Sequence, residues 1–368
     1  MINLDHAATT PLRPEALNAM LPYFTEHAAN ANALYAEGRR ARAAIDAARR
    51  QIADAIHAKP AEIYFTGSGS EADNWALFGA MRAMAGKNHI VTTQVEHHAI
   101  LNACAALEKL GYEVSYVPVD RQGCADPEAI ENAVRPETGM VSVMLANNEV
   151  GTIQPISEIA KVAHMHGALM HTDAVQAVGH IPVEALDVDL LSLSAHKFYG
   201  PKGIGALYIR NGVKMTNLIY GGEQERGLRA GTENTPAIVG VGKALSLSCA
   251  ELEQTAERIR ALRNLLEGEI TRRFPNAIVN GDRENRLPGT LHVTFPGEDT
   301  SMLLMRLDME GIAVSAGSAC AAGARERSHV IRAMHVPEGA DVRFSLGNEN
   351  DETQIRQAVD ALCRVMNG

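Results

Sequence analysis

The stretch Leu191-Ser-Leu-Ser-Ala-His-Lys-Phe-Tyr-Gly200, continued by Pro201-Lys-Gly-Ile-Gly205, decides how the rest of the chain is read. Apolar residues alternate there with small hydroxyls, as in a buried strand. The pattern stops at His196-Lys197 and gives way to a loop of glycine and proline. A lysine at the mouth of a buried strand is costly unless its amine is paired or chemically used. Two readings stand at this point: a surface lysine that caps a strand, or an amine held for covalent chemistry.

Outward from this strand the sequence is rhythmic. Strands are expected at 63–65, 89–93, 113–117, 140–145, 168–171, 190–194 and 205–209. The first five alternate with stretches long enough for helices, the signature of an α/β layer fold with a mainly parallel sheet of seven strands between helices. Upstream, residues 3–13 form a polar, turn-rich lead-in, and Pro14 opens a short helix running to about Phe24. Ile45, Ile52 and Ile56 mark a second helix over 36–58. Downstream, one long helix is expected from Thr235 to about Phe274, where Pro275 supplies the stop. A smaller α/β unit follows, with strands near 291–295, Val314 and 342–346 and helices near 300–310, 328–334 and 352–365. The boundary is expected near residue 255, giving a large domain of 15–255 and a small domain built from 1–14 and 256–368.

Composition narrows the class. A chain of 368 residues with 46% hydrophobic and 21% charged residues is ordinary for a globular enzyme. A net charge of −10 argues against direct nucleic-acid binding as the main business. Five scattered cysteines give no disulfide framework and fit a reducing compartment. No apolar run approaches membrane-spanning length, and the first residues show no leader pattern, so a cytoplasmic address is expected.

Several segments then supply the chemistry that Lys197 lacks alone. Ile63-Tyr-Phe-Thr-Gly-Ser-Gly-Ser-Glu-Ala-Asp73 is a strand, a glycine-bearing loop and a helix start, which is either a phosphate seat or a helix cap at Ser70. Met170-His-Thr-Asp-Ala-Val-Gln176 puts Asp173 at a strand end, where a carboxylate could keep a pyridine nitrogen protonated or merely cap a turn. His164, His166 and His171 straddle a helix end and a strand, a poor spacing for metal ligands, so no metal is expected. Glu96-His97-His98 and Asn147-Asn148-Glu149 follow two more strands. Polar groups at the carboxyl ends of successive strands favour one crevice. Ala313-Val-Ser-Ala-Gly-Ser-Ala-Cys-Ala-Ala-Gly323 surrounds Cys320 with small residues, unlike Cys104, Cys249 and Cys363 in helical stretches or Cys124 in a turn. Arg325 and Arg327 either lower the Cys320 thiol pKa or are solvated charges.

Taken together these motifs resemble the cysteine desulfurases of the NifS/IscS type, among the class V aminotransferases of PLP fold type I. The resemblance runs from end to end: Leu4-Asp-His-Ala-Ala-Thr-Thr, His171-Thr-Asp-Ala-Val-Gln-Ala-Val-Gly, Ser194-Ala-His-Lys, Gly221-Gly-Glu-Gln-Glu-Arg-Gly-Leu-Arg-Ala-Gly-Thr-Glu-Asn, Gly317-Ser-Ala-Cys and Val342-Arg-Phe-Ser-Leu-Gly. It implies that Lys197 holds pyridoxal 5'-phosphate, Asp173 pairs its ring nitrogen and His97 stacks on the ring. Gln176 and Asn148 would serve the phenolic oxygen and the substrate side. Gly69, Ser70, Ser194 and His196 would hold the phosphate, with Thr232 contributed across a homodimer interface. Arg343 would clamp the substrate carboxylate, and Cys320 would accept the sulfur of L-cysteine for delivery to an acceptor such as an iron–sulfur scaffold.

The sequence also departs from that family. Asn30-Ala-Asn-Ala-Leu-Tyr35 stands where members commonly read Asn-Pro-Ser-Ser-Leu-His, and Glu223 stands where a third glycine is usual. Arg325 and Arg327 replace a leucine and a proline, and Asn348 replaces an arginine. None removes a group that the chemistry requires. The alternatives are another class V reaction, such as a selenocysteine lyase, a cysteine lyase or an aminotransferase, and a sulfur-carrying docking protein without turnover.

Overall fold

The computed structural model describes residues 1–185, 187–317 and 327–367. Its centre is the strand that opened the sequence reading, β7 (Leu190–Ser194), every residue of which is buried. In chain order the main sheet also contains β2 (Ile63–Thr66), β3 (His89–Thr93), β4 (Glu113–Val117), β5 (Thr138–Ser142), β6 (Leu169–Asp173) and β8 (Gly205–Ile209). Across the sheet the order is β2-β8-β7-β6-β5-β3-β4. Only β8 runs against its neighbours. Strands buried on both faces need helices on both sides, which explains their continuous apolar runs.

Those helices are α1 (Pro14–Met20), α2 (Ala36–Ala55), α3 (Gly69–Ala83), α4 (His98–Glu108), α5 (Pro127–Ala133), α6 (Ile156–Met165) and α7 (Thr235–Ala250). On one face Ile45, Ile52 and Ile56 pack with Val241 and Leu245 of α7. On the other, Trp75, Leu77 and Met81 of α3 join Ile100 and Leu107 of α4. Each such fully buried side chain contributes about 1.5–3 kcal/mol relative to exposure.

The long helix expected over 235–274 is two helices. The first ends at Ala250, and α8 (Leu252–Arg273) starts after the single residue Glu251. A second core follows, formed by β9 (Ile278–Asn280), β10 (Thr290–Phe295) and β12 (Ala340–Ser345) in the antiparallel order β12-β10-β9. Helices α8, α9 (Thr300–Met309) and α11 (Glu352–Asn367) cover it with Leu266, Leu303, Leu307, Val359 and Leu362. The chain start returns here, since β1 (Ile2–Asn3) pairs in parallel with β11 (Ile312–Ala313). Short α10 (His329–Ala333) goes elsewhere: Val330, Ile331 and Met334 pack on Val95 and Val150 beside the main sheet. Among the described residues no helix is long and apolar enough to cross a membrane.

Candidate active site

The carboxyl ends of the parallel strands converge on a cavity of about 180 Å³. Strand β7 ends in a tight turn, Ala195–Lys197, which brings Lys197 back over the sheet edge. The Lys197 Nζ donates to the carbonyls of Ala7 and Ala8 at 2.7 and 2.8 Å. These carbonyls belong to the polar lead-in, which lies strapped across the turn: Thr10 donates through both N–H and Oγ1 to the His196 carbonyl, each at 2.9 Å.

Next to it on the sheet, β6 ends in Asp173. Its carboxylate accepts the Val175 N–H at 2.9 Å, and burial raises its pKa to about 6 against the pull of that N–H and of Lys197. Asp73 of α3 stands behind it. Asp73, His97 and Asp173 each bring one atom within 4.8 Å of the others. Burial first, then the Asp173 charge, push Asp73 well above the usual carboxylate range. The Asp173 carboxylate on the pocket floor is suited to a protonated ring nitrogen.

His97 caps α4 by accepting the Ala99 N–H on Nδ1 at 3.2 Å. Burial and then the Lys197 charge lower its pKa to about 4, so the ring is neutral. Opposite the floor, α3 opens on the cavity. Its cap is Ser68, whose Oγ accepts the Glu71 N–H at 3.1 Å; Ser70, for which the sequence left open a cap or a phosphate seat, is exposed on the first turn. A Cβ on Gly69 would meet Val175 at 2.8 Å and Ser194 at 3.1 Å, so the helix start can approach the sheet this closely only with glycine. The free N–H groups and positive end of α3 then face the cavity beside Ser194 and His196, a seat for a phosphate. Buried carboxylate, flat imidazole, amine and anion seat together fit pyridoxal phosphate.

Another side of the cavity is closed by Arg343 of β12, which is buried with its Nε unpartnered. Its Nη1 donates to the Asn148 carbonyl at 2.8 Å and its Nη2 to Asp5 at 2.7 Å. Gln176 Nε2 reaches the Ala7 carbonyl at 3.0 Å. The structure therefore brings Gly69, Ser70, His97, Asn148, Asp173, Gln176, Ser194, His196, Lys197 and Arg343 to one cavity. Thr232 is exposed on a loop away from it. Cys320 and Arg325 lie outside the described residues. Arg327 is neither solvated nor a free charge: its Nε and Nη2 bond Asp341 at 2.6 and 3.0 Å. His164, His166 and His171 part ways, to Asp189, to Glu131 and to Ser142 with Ser192. Sequence reasoning missed Asp73 and the backbone of Ala7 and Ala8; a carboxylate one turn into a helix looks like surface, and carbonyls carry no sequence signal.

Comparison with known proteins agrees with this geometry. The family described as aminotransferase class-V matches residues 2–358. A protein of Dictyoglomus turgidum described as cysteine desulfurase IscS is 47% identical over 371 residues, covering 99% of this chain and 94% of the relative. A solved structure of a NifS-like protein superposes with a TM-score of 0.93 at 36% identity, covering 100% of this chain and 99% of the other. Another, described as SspA in complex with cysteine, has a TM-score of 0.83 at 37% identity over 94% of this chain and 99% of the other.

Proposed function

From the premise that the chain belongs to the aminotransferase class-V family, we propose that it is a cysteine desulfurase that uses pyridoxal phosphate to move sulfur from L-cysteine onto Cys320. The observation that carries this is the meeting of Lys197, Asp173, Arg343 and the α3 start at one cavity. When bound, the cofactor supplies an electron sink for the bonds at Cα. The chain's own groups do the rest. Lys197 Nζ would anchor the cofactor, and as a free amine it would take and return the Cα proton of the substrate. Asp173 carries the negative charge that keeps the ring nitrogen protonated, and neutral His97 covers the ring without adding charge. Arg343 turns its planar fork to the substrate carboxylate, exchanging its present partners for it.

Overall, L-cysteine and the Cys320 thiol become L-alanine and a Cys320 persulfide. The Cβ–Sγ bond breaks and an S–S bond forms; the sulfur is oxidised and Cβ is reduced to a methyl group. The thiol proton and that of Cys320 are conserved in the products. The persulfide would then pass to an acceptor protein such as an iron–sulfur scaffold. The free thiols of Cys104, Cys124, Cys249 and Cys363 fit the reducing cytoplasm. The working unit in this reading is a homodimer in which exposed Thr232 completes the partner's phosphate seat.

The test is the Cys320→Ala variant. Alanine formation from cysteine should fall on the order of a thousandfold, as when a covalent nucleophile is removed, with no persulfide detectable by mass spectrometry. A variant that makes alanine as fast as the wild type would refute the sulfur-accepting role.

A further inference from the structure

The catalytic roles above leave Glu149 unused, although its side chain is buried next to Asn148. Its backbone is fixed by an asparagine turn: the Asn147 Oδ1 accepts the N–H groups of Glu149 and Val150 at 2.9 and 3.0 Å. The Asn147 amide in turn donates to the Val95 carbonyl at 2.9 Å. A carboxylate mounted this rigidly in the turn that follows β5 is expected to hold something.

It touches both flanks of segment 318–326. On one flank the Ser328 hydroxyl donates to Glu149 Oε2 at 2.5 Å. On the other, a Cβ added to Gly317 would lie 2.9 Å from that same oxygen, so the Gly317 backbone rests against the carboxylate. Each flank is also tied further out. Arg343 N–H donates to the Ser315 carbonyl at 2.6 Å. Arg327 grips buried Asp341, two residues before Arg343, and donates to the carbonyls of Val336 and Pro337, each at 2.8 Å. His329 Nε2 meets the Glu96 carbonyl at 2.9 Å. The arginine that replaces a proline in this family thus acts as a brace.

We propose that Glu149 is a positioning residue for sulfur transfer, which pins the chain before and after segment 318–326 at one point beside Asn148 and Arg343. This rests on the reading that Cys320 accepts the sulfur. Cys320 is three residues from Gly317, and three extended residues span only about 10 Å. Displacing the Gly317 anchor therefore moves the point from which the chain leads to Cys320.

The experiment uses the full-length, cofactor-loaded protein and the variants Glu149→Ala, Glu149→Gln and Gly317→Ala. Three quantities are read: the absorbance change and affinity on adding cysteine, the single-turnover rate of persulfide formation at Cys320, and the melting temperature. Glu149→Ala and Gly317→Ala should both slow persulfide formation roughly 10- to 100-fold, the scale of an ångström-sized misplacement, with the cysteine-induced spectrum and affinity unchanged. Glu149→Gln keeps an acceptor for Ser328 and should recover most of the rate. Wild-type persulfide rates in both Glu149→Ala and Gly317→Ala would overturn the proposal. So would losses of cysteine affinity, cofactor and melting temperature in proportion to the rate, since that pattern marks general support of the fold. Cys320→Ala measured alongside separates the premise: undiminished alanine formation there refutes the acceptor, whatever the Glu149 variants do.

Discussion

Glu96 shows how far this site depends on carboxyls that stay neutral. It is fully buried behind His97, accepts the Thr93 hydroxyl at 2.7 Å and the Met144 N–H, and burial raises its pKa to about 8. The folded protein therefore keeps a proton on Glu96 between about pH 4.5 and 8, where the unfolded chain has lost it. Across that window stability must fall as pH rises, by at most about 1.4 kcal/mol per pH unit, and the stabilisation is gone above the folded pKa. Glu96→Gln cannot lose a proton. Its stability relative to wild type, measured by urea denaturation at pH 5.5 and 8, should rise with pH; parallel curves would refute the assignment. Residues of this kind mark the limit of sequence reading. Lys197 and Asp173 were legible because the chemistry demands those side chains at strand ends. Asp73, Glu96 and Glu149 were not assigned roles, because a carboxylate's work as a buried acid or anchor depends on neighbours distant in sequence.

At the level of elements, the parallel strands were legible from alternating apolar runs, whereas pieces defined only by a tertiary partner were not. Two-residue β1 exists because β11 lies beside it, and β9 because β10 offers an edge. The apolar pattern likewise runs through Glu251, so no residue type marks the break between α7 and α8. Helix α7 carries glycines where the packing requires them: a Cβ on Gly242 would meet the Ala48 Cα of α2 at 2.8 Å. A second inter-element tie makes a measurable claim. Arg49 of α2 forms two bonds of 2.7 Å with buried Glu225, whose carboxylate also accepts the Phe65 N–H of β2 at 2.9 Å. The pair holds a turn in which Glu225 and Arg226 both adopt the left-handed region, with φ of 46° and 59°. Removing one partner leaves an uncompensated buried charge and releases a strained turn. Arg49→Ala should therefore destabilise the protein by about 3–5 kcal/mol in chemical denaturation, more than Arg49→Ala combined with Glu225→Ala. Equal losses in the single and double variants would show that the charge is not the cause.

For the whole molecule, the same turn lies in the connection from β8 to α7, residues 210–234, which carries Tyr220 and Thr232 and is tied to the segment where the sequence departs from its family. Arg42 bonds Glu233 at 2.9 Å and Asn32 at 2.6 Å, which sets residues 30–35 beside the loop. Together they expose Leu34 at 90%, Tyr35 at 60% and Tyr220 at 75% of their surface. If Thr232 serves a phosphate seat as proposed, large apolar side chains left open on the same face are what a subunit interface requires. A second copy on this face would bury the three side chains and deliver Thr232 to the partner's α3 start in one step. Assembly and cofactor retention are then linked, because a group that completes a site only in the dimer adds affinity only there. The charge-bearing double variant Leu34→Glu, Tyr220→Glu should sediment as a monomer with unchanged circular dichroism, and should lose pyridoxal phosphate on dilution while the wild type retains it. A variant that remains dimeric would move the interface elsewhere, and a monomer that holds the cofactor as tightly as the wild type would remove Thr232 from the phosphate seat.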